Sequence, residues 1–596
     1  MLRRYLALFA LCAAAAQADP AFWKFAPTPP MGWNSWDCFG TTLTEAEAKT
    51  QADAMAAQLK PFGWTYFTVD IQWYEGKSKG HEYHEGAALA MDEFGRLLPA
   101  VSKFPSAAAG AGFKPLADYI HSRGLKFGIH AMRGIPRQAV RQNTAILGTS
   151  LHAADIALTN SICPWNPDMF GVDLSRPGAQ NYYDSVFAQY AAWGVDFVKV
   201  DDIARPYDEV QQAEIEAIRK AIDKTGRAIV LSLSPGDTPL ARADHVRTHA
   251  NMWRVSDDFW DRWPPLYGML GRLDRWNRYR APGAWPDGDM LPFGTIEFTR
   301  PTRFTKDEQF FCMSLWCIAR SPLILGADMT KLDPFTLALL TNPEVLAVNQ
   351  SSAGNRQLSR TNDLVVWAAE APGSADRYVA LLNAQDNEMP FDLSHPAFTS
   401  RVLRGEAGAE IADISVPITN AHQLVLLIGE GGGGLYRNHG AWIEPKLRGG
   451  GKDLKLTDLK WSFATAGWNE PQVNRTVENQ PLTLNGKTVE GIGTHAVSVI
   501  AYDLPPGYDT FTARGALTTG SEGKGSIQFL VIVDPPVSLK PARSRVSVSL
   551  QDLGIAGAAN VRDLWKRQDL GTFTNHFSSD IPLQGAGLFR ITPVAR

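Results

Sequence analysis

The feature that most constrains this 596-residue chain is a phrase that it repeats: a helical stretch, a glycine, then a short apolar run ending on a polar group. A helix opens at T-E-A-E (44–47), a Ser/Thr-x-x-Glu capping box, and stops at P-F-G (61–63). The apolar run 66–70 follows and ends on Asp70. The phrase returns as helix 115–123, Gly124 and strand 126–130, ending on His130. It returns again as a helix up to Trp193, Gly194 and strand 197–201, ending on Asp201, and once more as helix 207–225, Gly226 and strand 229–233, leading into Ser234. Glycine supplies the left-handed residue that ends a helix, and short, nearly continuous apolar runs suit strands covered on both faces. Repeated over 19–345, the phrase predicts an α/β catalytic domain, a (β/α)8 TIM barrel, with a doubly wound sheet as the alternative.

A barrel also predicts where chemistry sits, because its active site collects at the C-terminal ends of the strands. Here those ends carry Trp36, Asp70, His130, Asp201, Ser234, Asp258 and Asp289. An isolated pair such as Asp201-Asp202 often only caps a helix or turns the chain. Asp201 and Asp258 come from different strands and can face one another, which is the minimum equipment for glycoside hydrolysis. Trp33, Trp36, Trp73, Trp253, Trp260 and Trp285 lie near the strand ends, where a tryptophan can stack on a sugar or simply fill the core.

The residues before the barrel read as an address. Arg3 and Arg4, an apolar core and an A-Q-A site (16–18) make a secretory signal peptide over 1–18, so a secreted or periplasmic enzyme is expected. A net charge of -4 argues against nucleic acid, and no later apolar run is long and uncharged enough to predict a membrane span. No two His or Glu are read at ligand spacing on one helix, so neither a metal nor another cofactor is expected. Cys38, Cys163, Cys312 and Cys317 remain after the signal, too irregularly spaced to read a pairing.

Past the barrel the helical phrase gives way to alternating segments, which predict an antiparallel β-domain over 346–428. The glycine runs G-E-G-G-G-G and R-G-G-G-K suggest a flexible linker over 429–452, and turn signals thereafter suggest a separate β-sandwich over 453–596.

Five motifs carry a resemblance: P-P-M-G-W-N-S-W (29–36), K-V-D (199–201), W-R-V-S-D-D (253–258), W-P-D-G-D-M-L (285–291) and R-S-P-L-I-L-G-A-D (320–328). In this order and spacing the chain resembles the α-galactosidase family of retaining glycoside hydrolases, which also includes β-L-arabinopyranosidases. The resemblance implies a (β/α)8 barrel followed by an antiparallel β-domain, with a carbohydrate as substrate and partner. It implies that Asp201 is the nucleophile and Asp258 the general acid/base. Lys199 and Arg254 match residues that bind sugar hydroxyls, Trp36 an aromatic wall, Asp70 the carboxylate at the sugar's far edge and Asp289 a pocket carboxylate.

The departures from the family pattern are also informative. Ile71 stands where α-galactosidases usually carry a second Asp, the partner of the galactose hydroxymethyl group. β-L-arabinopyranose has the ring stereochemistry of α-D-galactose without that group, so Ile71 points towards arabinopyranosides. His130 replaces a common Tyr, S-P-G (234–236) replaces a Cys-Glu-Trp-Gly loop, and Ile203 leaves Cys163 without its family partner. The C-terminal region resembles the NPCBM carbohydrate-binding module through W-S-F-A-T-A-G-W (461–468) and G-I-G-T-H-A (491–496), with Thr518 where an acidic residue is common.

Overall fold

The structure, a computed structural model, describes residues 19–387, 389–405, 407–432, 437–521, 523 and 525–594. The signal-peptide segment 1–18 lies outside the described residues. The chain divides into two compact units, residues 1–385 with 541–596, and residues 386–540.

The first unit is built on eight parallel strands: β1 Met31–Asn34, β2 Tyr66–Val69, β3 Lys126–Met132, β4 Phe197–Asp201, β5 Val230–Leu233, β6 Met252–Arg254, β7 Trp285–Asp287 and β8 Leu323–Leu325. Their spatial order is β7-β6-β5-β4-β3-β2-β1-β8, and a parallel bridge from Leu291 to Leu325 joins the two ends of that order. This is the expected barrel. The glycine stops act as read: Gly63, Gly124, Gly194 and Gly226 all adopt positive φ, and Thr44 and Glu47 close the capping box at the helix Glu45–Gln58.

Strand periodicity explains what the barrel holds inside. Along β4, Phe197 joins an interior cluster with Tyr66, Val230, Met252, Trp285 and Ile324, while Val198 and Val200 belong to the larger core between strands and helices. Side chains two apart share a face, so Lys199 and Asp201 stand above Phe197 on the inner face. The same alternation turns Asp70, His130, Arg254 and Asp287 inward from their strands. Gly32 allows the crowding, since a Cβ there would lie 2.3 Å from the Tyr66 carbonyl oxygen. Of the six tryptophans near the strand ends, Trp33, Trp73, Trp253 and Trp285 are fully buried core residues.

Two boundaries differ from expectation. The antiparallel β-domain is not contiguous: Arg377–Asn383 pairs residue for residue with Gly585 to Ile591 of the strand Gly585–Pro593, in a sheet that also holds Ala353–Thr361, Leu364–Glu370, Ala558–Asp563 and Gln568–Thr574. Residues 541–594 therefore complete the first unit, and the β-sandwich predicted over 453–596 is split. The expected linker 429–452 is largely strand as well. His439–Gly449 pairs with Gly491–His495 and Thr510–Leu517 in the core of the second unit. Some of its glycines serve close approach: a Cβ would lie 2.3 Å from Ser526 Oγ at Gly431 and 2.6 Å from the Tyr508 Cα at Gly449. Cys38, Cys163, Cys312 and Cys317 are buried free thiols. No helix among the described residues is long and apolar enough to cross a membrane.

Candidate active site

At the C-terminal mouth of the barrel lies a cavity of 420 Å³, within the size range of small-ligand pockets. Six of the residues singled out from sequence line it: Trp36, Asp70, Ile71, Lys199, Asp201 and Asp258. Sequence reasoning missed Tyr83, Trp165, Arg205, Pro235 and Asp257, which complete the wall. Tyr83 lies parallel to Trp36, ring centroids 6.2 Å apart. Tyr83 comes from the long irregular excursion after β2 and Trp165 from the turn between the antiparallel strands Ala157–Ile162 and Met169–Val172 after β3, where their only sequence signal was being aromatic.

Four predicted site residues are placed elsewhere. Arg254 and Asp289 surround a smaller void below the cavity, together with Lys199 and Ser232. His130 is wholly buried behind Asp201. Ser234 is buried with its backbone holding the chain after β4, its carbonyl accepting from the Ile203 N–H at 3.0 Å. The next residue, Pro235, is the one that reaches the cavity.

The floor of the cavity is a chain of paired charges. Lys199 Nζ lies 3.1 Å from Asp70 Oδ2, which also accepts from Asn34 Nδ2 at 2.7 Å. Asp70 Oδ1 accepts the Ile71 backbone N–H at 2.9 Å, so Asp70 is fixed from both oxygens. His130 Nε2 is 3.0 Å from Asp201 Oδ2, and the Asp202 N–H donates to Asp201 Oδ1 at 2.9 Å. Burial alone would raise the Asp201 pKa, but the His130 hydrogen bond and the Lys199 cation outweigh it and hold the group well below the carboxylate range. Since an ionised carboxylate can only accept, His130 Nε2 must be the donor. Lys199 is likewise locked as a cation: burial opposes its charge, and Asp70 and Asp201 more than restore it.

The opposite wall is built differently. Arg254 Nη2 reaches both Asp258 Oδ1 at 3.2 Å and Asp289 Oδ2 at 2.9 Å. Asp289 also accepts the Phe259 N–H at 2.7 Å, which ties the Asp258 loop to the end of β7. Burial pushes Asp289 up to about 6 against the pull of Arg254, and pushes Asp287 up to about 7 with the help of the Asp289 charge. The Asp258 side chain itself is 57% exposed. Two carboxylates thus share one cavity, one buried and held ionised, the other open to solvent. A pair so arranged can divide the roles of nucleophile and proton carrier.

One expectation about metals needs correcting. His245 and His249 stand four residues apart, at ligand spacing, and with Glu216 they bring three ligand atoms within 4.8 Å of one another.

The sequence matches the family model described as alpha galactosidase A over residues 171–351, the NPCBM/NEW2 domain over 452–552 and the alpha galactosidase C-terminal beta sandwich domain over 518–591. An α-galactosidase of Coffea arabica is 32% identical over 58% of this chain and 76% of its own length. Alpha-galactosidase 2 of Arabidopsis thaliana is 31% identical, covering 60% of this chain and 75% of its own. A crystal structure of a β-L-arabinopyranosidase from Geobacillus stearothermophilus is 39% identical, with a TM-score of 0.69, covering 97% of this chain and 100% of that one. The chain belongs to the α-galactosidase family and is a glycoside hydrolase.

Proposed function

We propose that the enzyme is an exported, exo-acting, retaining β-L-arabinopyranosidase, with the corresponding α-D-galactosides as poorer substrates. The observation that carries this reading is Ile71: it is 2% exposed and lines the cavity directly beside Asp70. Asp70 and Lys199 offer hydrogen bonds to ring hydroxyls, whereas Ile71 offers none to a hydroxymethyl group and occupies the space it would need. The likeness to the Geobacillus enzyme, which spans both chains, supports the same choice. Export rests on the N-terminal R-R, apolar core and A-Q-A pattern, and the NPCBM match supports carbohydrate attachment by residues 386–540.

The reaction proceeds in two displacements. Asp201 attacks the anomeric carbon as the glycosidic bond breaks, and Asp258 gives its proton to the departing oxygen. Water, deprotonated by the now ionised Asp258, then attacks the same carbon and releases Asp201, so configuration is retained. Lys199 and His130 keep Asp201 ionised before attack and stabilise it as it leaves. Trp36, Tyr83 and Trp165 give the sugar apolar faces to pack against.

Specificity is the direct test. With aryl glycosides, kcat/KM should favour β-L-arabinopyranoside over α-D-galactopyranoside by roughly 5- to 150-fold, the value of about 1–3 kcal/mol for one unpaired buried hydroxyl. Ile71→Asp should shift that ratio towards the galactoside. A wild-type preference for galactoside, or a ratio unmoved by Ile71→Asp, overturns the reading.

A further inference from the structure

Away from the sugar cavity, two elements of the barrel's outer layer are joined by a constellation that glycoside cleavage does not use. Glu216 lies on the helix Glu209–Thr225, which follows β4. His245 lies in the short helix Ala243–Arg247, which follows β5. His249 lies one turn on, where the Ala250 N–H still donates to the Val246 carbonyl at 2.9 Å and keeps the helical spacing. The two imidazoles therefore share a face and stack, with centroids 4.2 Å apart and planes inclined by 22°.

The hydrogen bonds around the rings fix which nitrogens are available. His249 Nδ1 is 2.8 Å from the His245 carbonyl oxygen, which can only accept, so Nδ1 carries the proton and Nε2 presents a lone pair. His245 Nδ1 is 2.8 Å from the Tyr207 hydroxyl, and its Nε2 faces Glu216 Oε1 at 3.2 Å. A ring nitrogen held by a carbonyl or hydroxyl while the other nitrogen looks into a polar cluster is how ligand histidines are oriented. We propose that Glu216, His245 and His249 form a binding site for a divalent transition ion of the Zn²⁺ type, tying the helix after β4 to the turn after β5.

The dimensions suit that ion. Metal–ligand bonds of about 2.0–2.2 Å in a tetrahedral array place neighbouring ligand atoms roughly 3.3 Å apart. The Glu216–His245 pair already has this separation, and with all three ligand atoms inside 4.8 Å, a small swing of the His249 ring closes the set. Imidazole donors favour Zn²⁺ over Ca²⁺ or Mg²⁺, which prefer oxygen. The Arg242 guanidinium, whose charge opposes protonation of His245, is engaged by Gln212 Oε1 at 2.9 Å. Glu216 is 38% and His245 17% exposed, so an ion can enter and water can fill the fourth position. On binding, neutral His245 takes the tautomer with its proton on Nδ1, donated to the Tyr207 oxygen, and gives the Nε2 lone pair to the ion in place of the contact with Glu216.

The test uses the full chain, made without a polyhistidine tag, stripped with chelator and titrated with zinc chloride in a calorimeter. The expected result is saturable uptake of one Zn²⁺ per chain and a melting temperature that rises with zinc concentration. Glu216→Gln and His249→Gln should each weaken binding by at least about 10-fold while leaving arabinosidase activity intact, and Tyr207→Phe should weaken it by a factor within about 10–100. Cobalt(II) bound to the wild type should give the visible spectrum of a tetrahedral site, a readout that needs no variant. No saturable uptake by the wild type, unchanged affinity in both ligand variants, or an octahedral cobalt spectrum would overturn the proposal.

Discussion

An Asp-Asp pair stands at the C-terminal end of β4 and another in the loop after β6, and the two pairs are built in opposite ways. At β4 both carboxylates are buried, with side-chain exposures of 12% for Asp201 and 6% for Asp202. At β6 both are open, 64% for Asp257 and 57% for Asp258. Within the buried pair the neighbours diverge again. Asp201 is held low by His130 and Lys199 against burial, whereas burial pushes Asp202 up to about 6 although Arg133 Nε donates to it at 2.8 Å. A nucleophile must stay ionised while a sugar covers it, so it needs fixed internal partners. The proposed acid/base gives its proton to the leaving group and regains one from the attacking water, so it belongs at an open rim where both can reach it; there Asp258 is steadied by Arg254 and its neighbour Asp257 pairs with Arg205.

The two pairs should fail differently when broken. Asp201→Asn should reduce kcat on the order of 10⁴-fold or more for every leaving group, since no other group can attack. Asp258→Asn should cost roughly 10²- to 10⁴-fold with natural glycosides. It should cost less with activated aryl glycosides, which need no proton to leave, and a small anion such as azide should restore part of the turnover. Equal sensitivity of both variants to leaving-group pKa would erase the distinction drawn here.

A smaller effect is expected behind the nucleophile. His130→Phe removes one charge-assisted hydrogen bond worth about 1.5–3 kcal/mol, so kcat/KM should fall roughly 10- to 150-fold. Its acidic limb should move up in pH as the Asp201 pKa rises. A loss of rate with no movement of the pH profile would make His130 a packing residue only.

The smallest effect, and the sharpest contrast, is in stability against pH. Asp201 is lowered by folding, so its contribution is present above about pH 4 and is lost as pH falls below it. Asp202 is raised, so the folded state holds its proton more tightly and stability declines as pH rises from about 4 through about 6. Thermal melting across pH 3–8 should therefore show Asp202→Asn flattening the decline between about 4 and 6, and Asp201→Asn flattening the acid-side loss. Identical profiles for the two variants would contradict the opposite environments.

Much of this arrangement is legible in the sequence, because a barrel strand states its inner face in steps of two. F-V-K-V-D places Lys199 and Asp201 together once Val198 and Val200 are assigned to the helix-facing side, and the glycine stops mark where each strand begins. What is not legible depends on partners distant in sequence or on irregular chain. Tyr83 and Trp165 reach the cavity from loops without period. Pro235, not Ser234, lines the cavity because of the path of the turn after β5. The antiparallel domain is completed by Gly585–Pro593 from the far end of the chain, a pairing that local alternation cannot announce, and glycines needed for close strand approach look like a linker. The four-residue spacing of His245 and His249 is present in the sequence but was passed over, and their third partner, Glu216, lies on another helix.

The central claim is that the end of β4 forms a covalent bond to the sugar. It is tested most directly by incubating the enzyme with 2-deoxy-2-fluoro-β-L-arabinopyranosyl fluoride, whose activated leaving group permits the first step while the fluorine slows the second. Peptide mass spectrometry then locates the adduct. The account predicts one pentosyl adduct per chain on the peptide containing Asp201, absent in Asp201→Asn. An adduct on Asp258 or Asp70, or release of product with inverted configuration and no adduct, would contradict it.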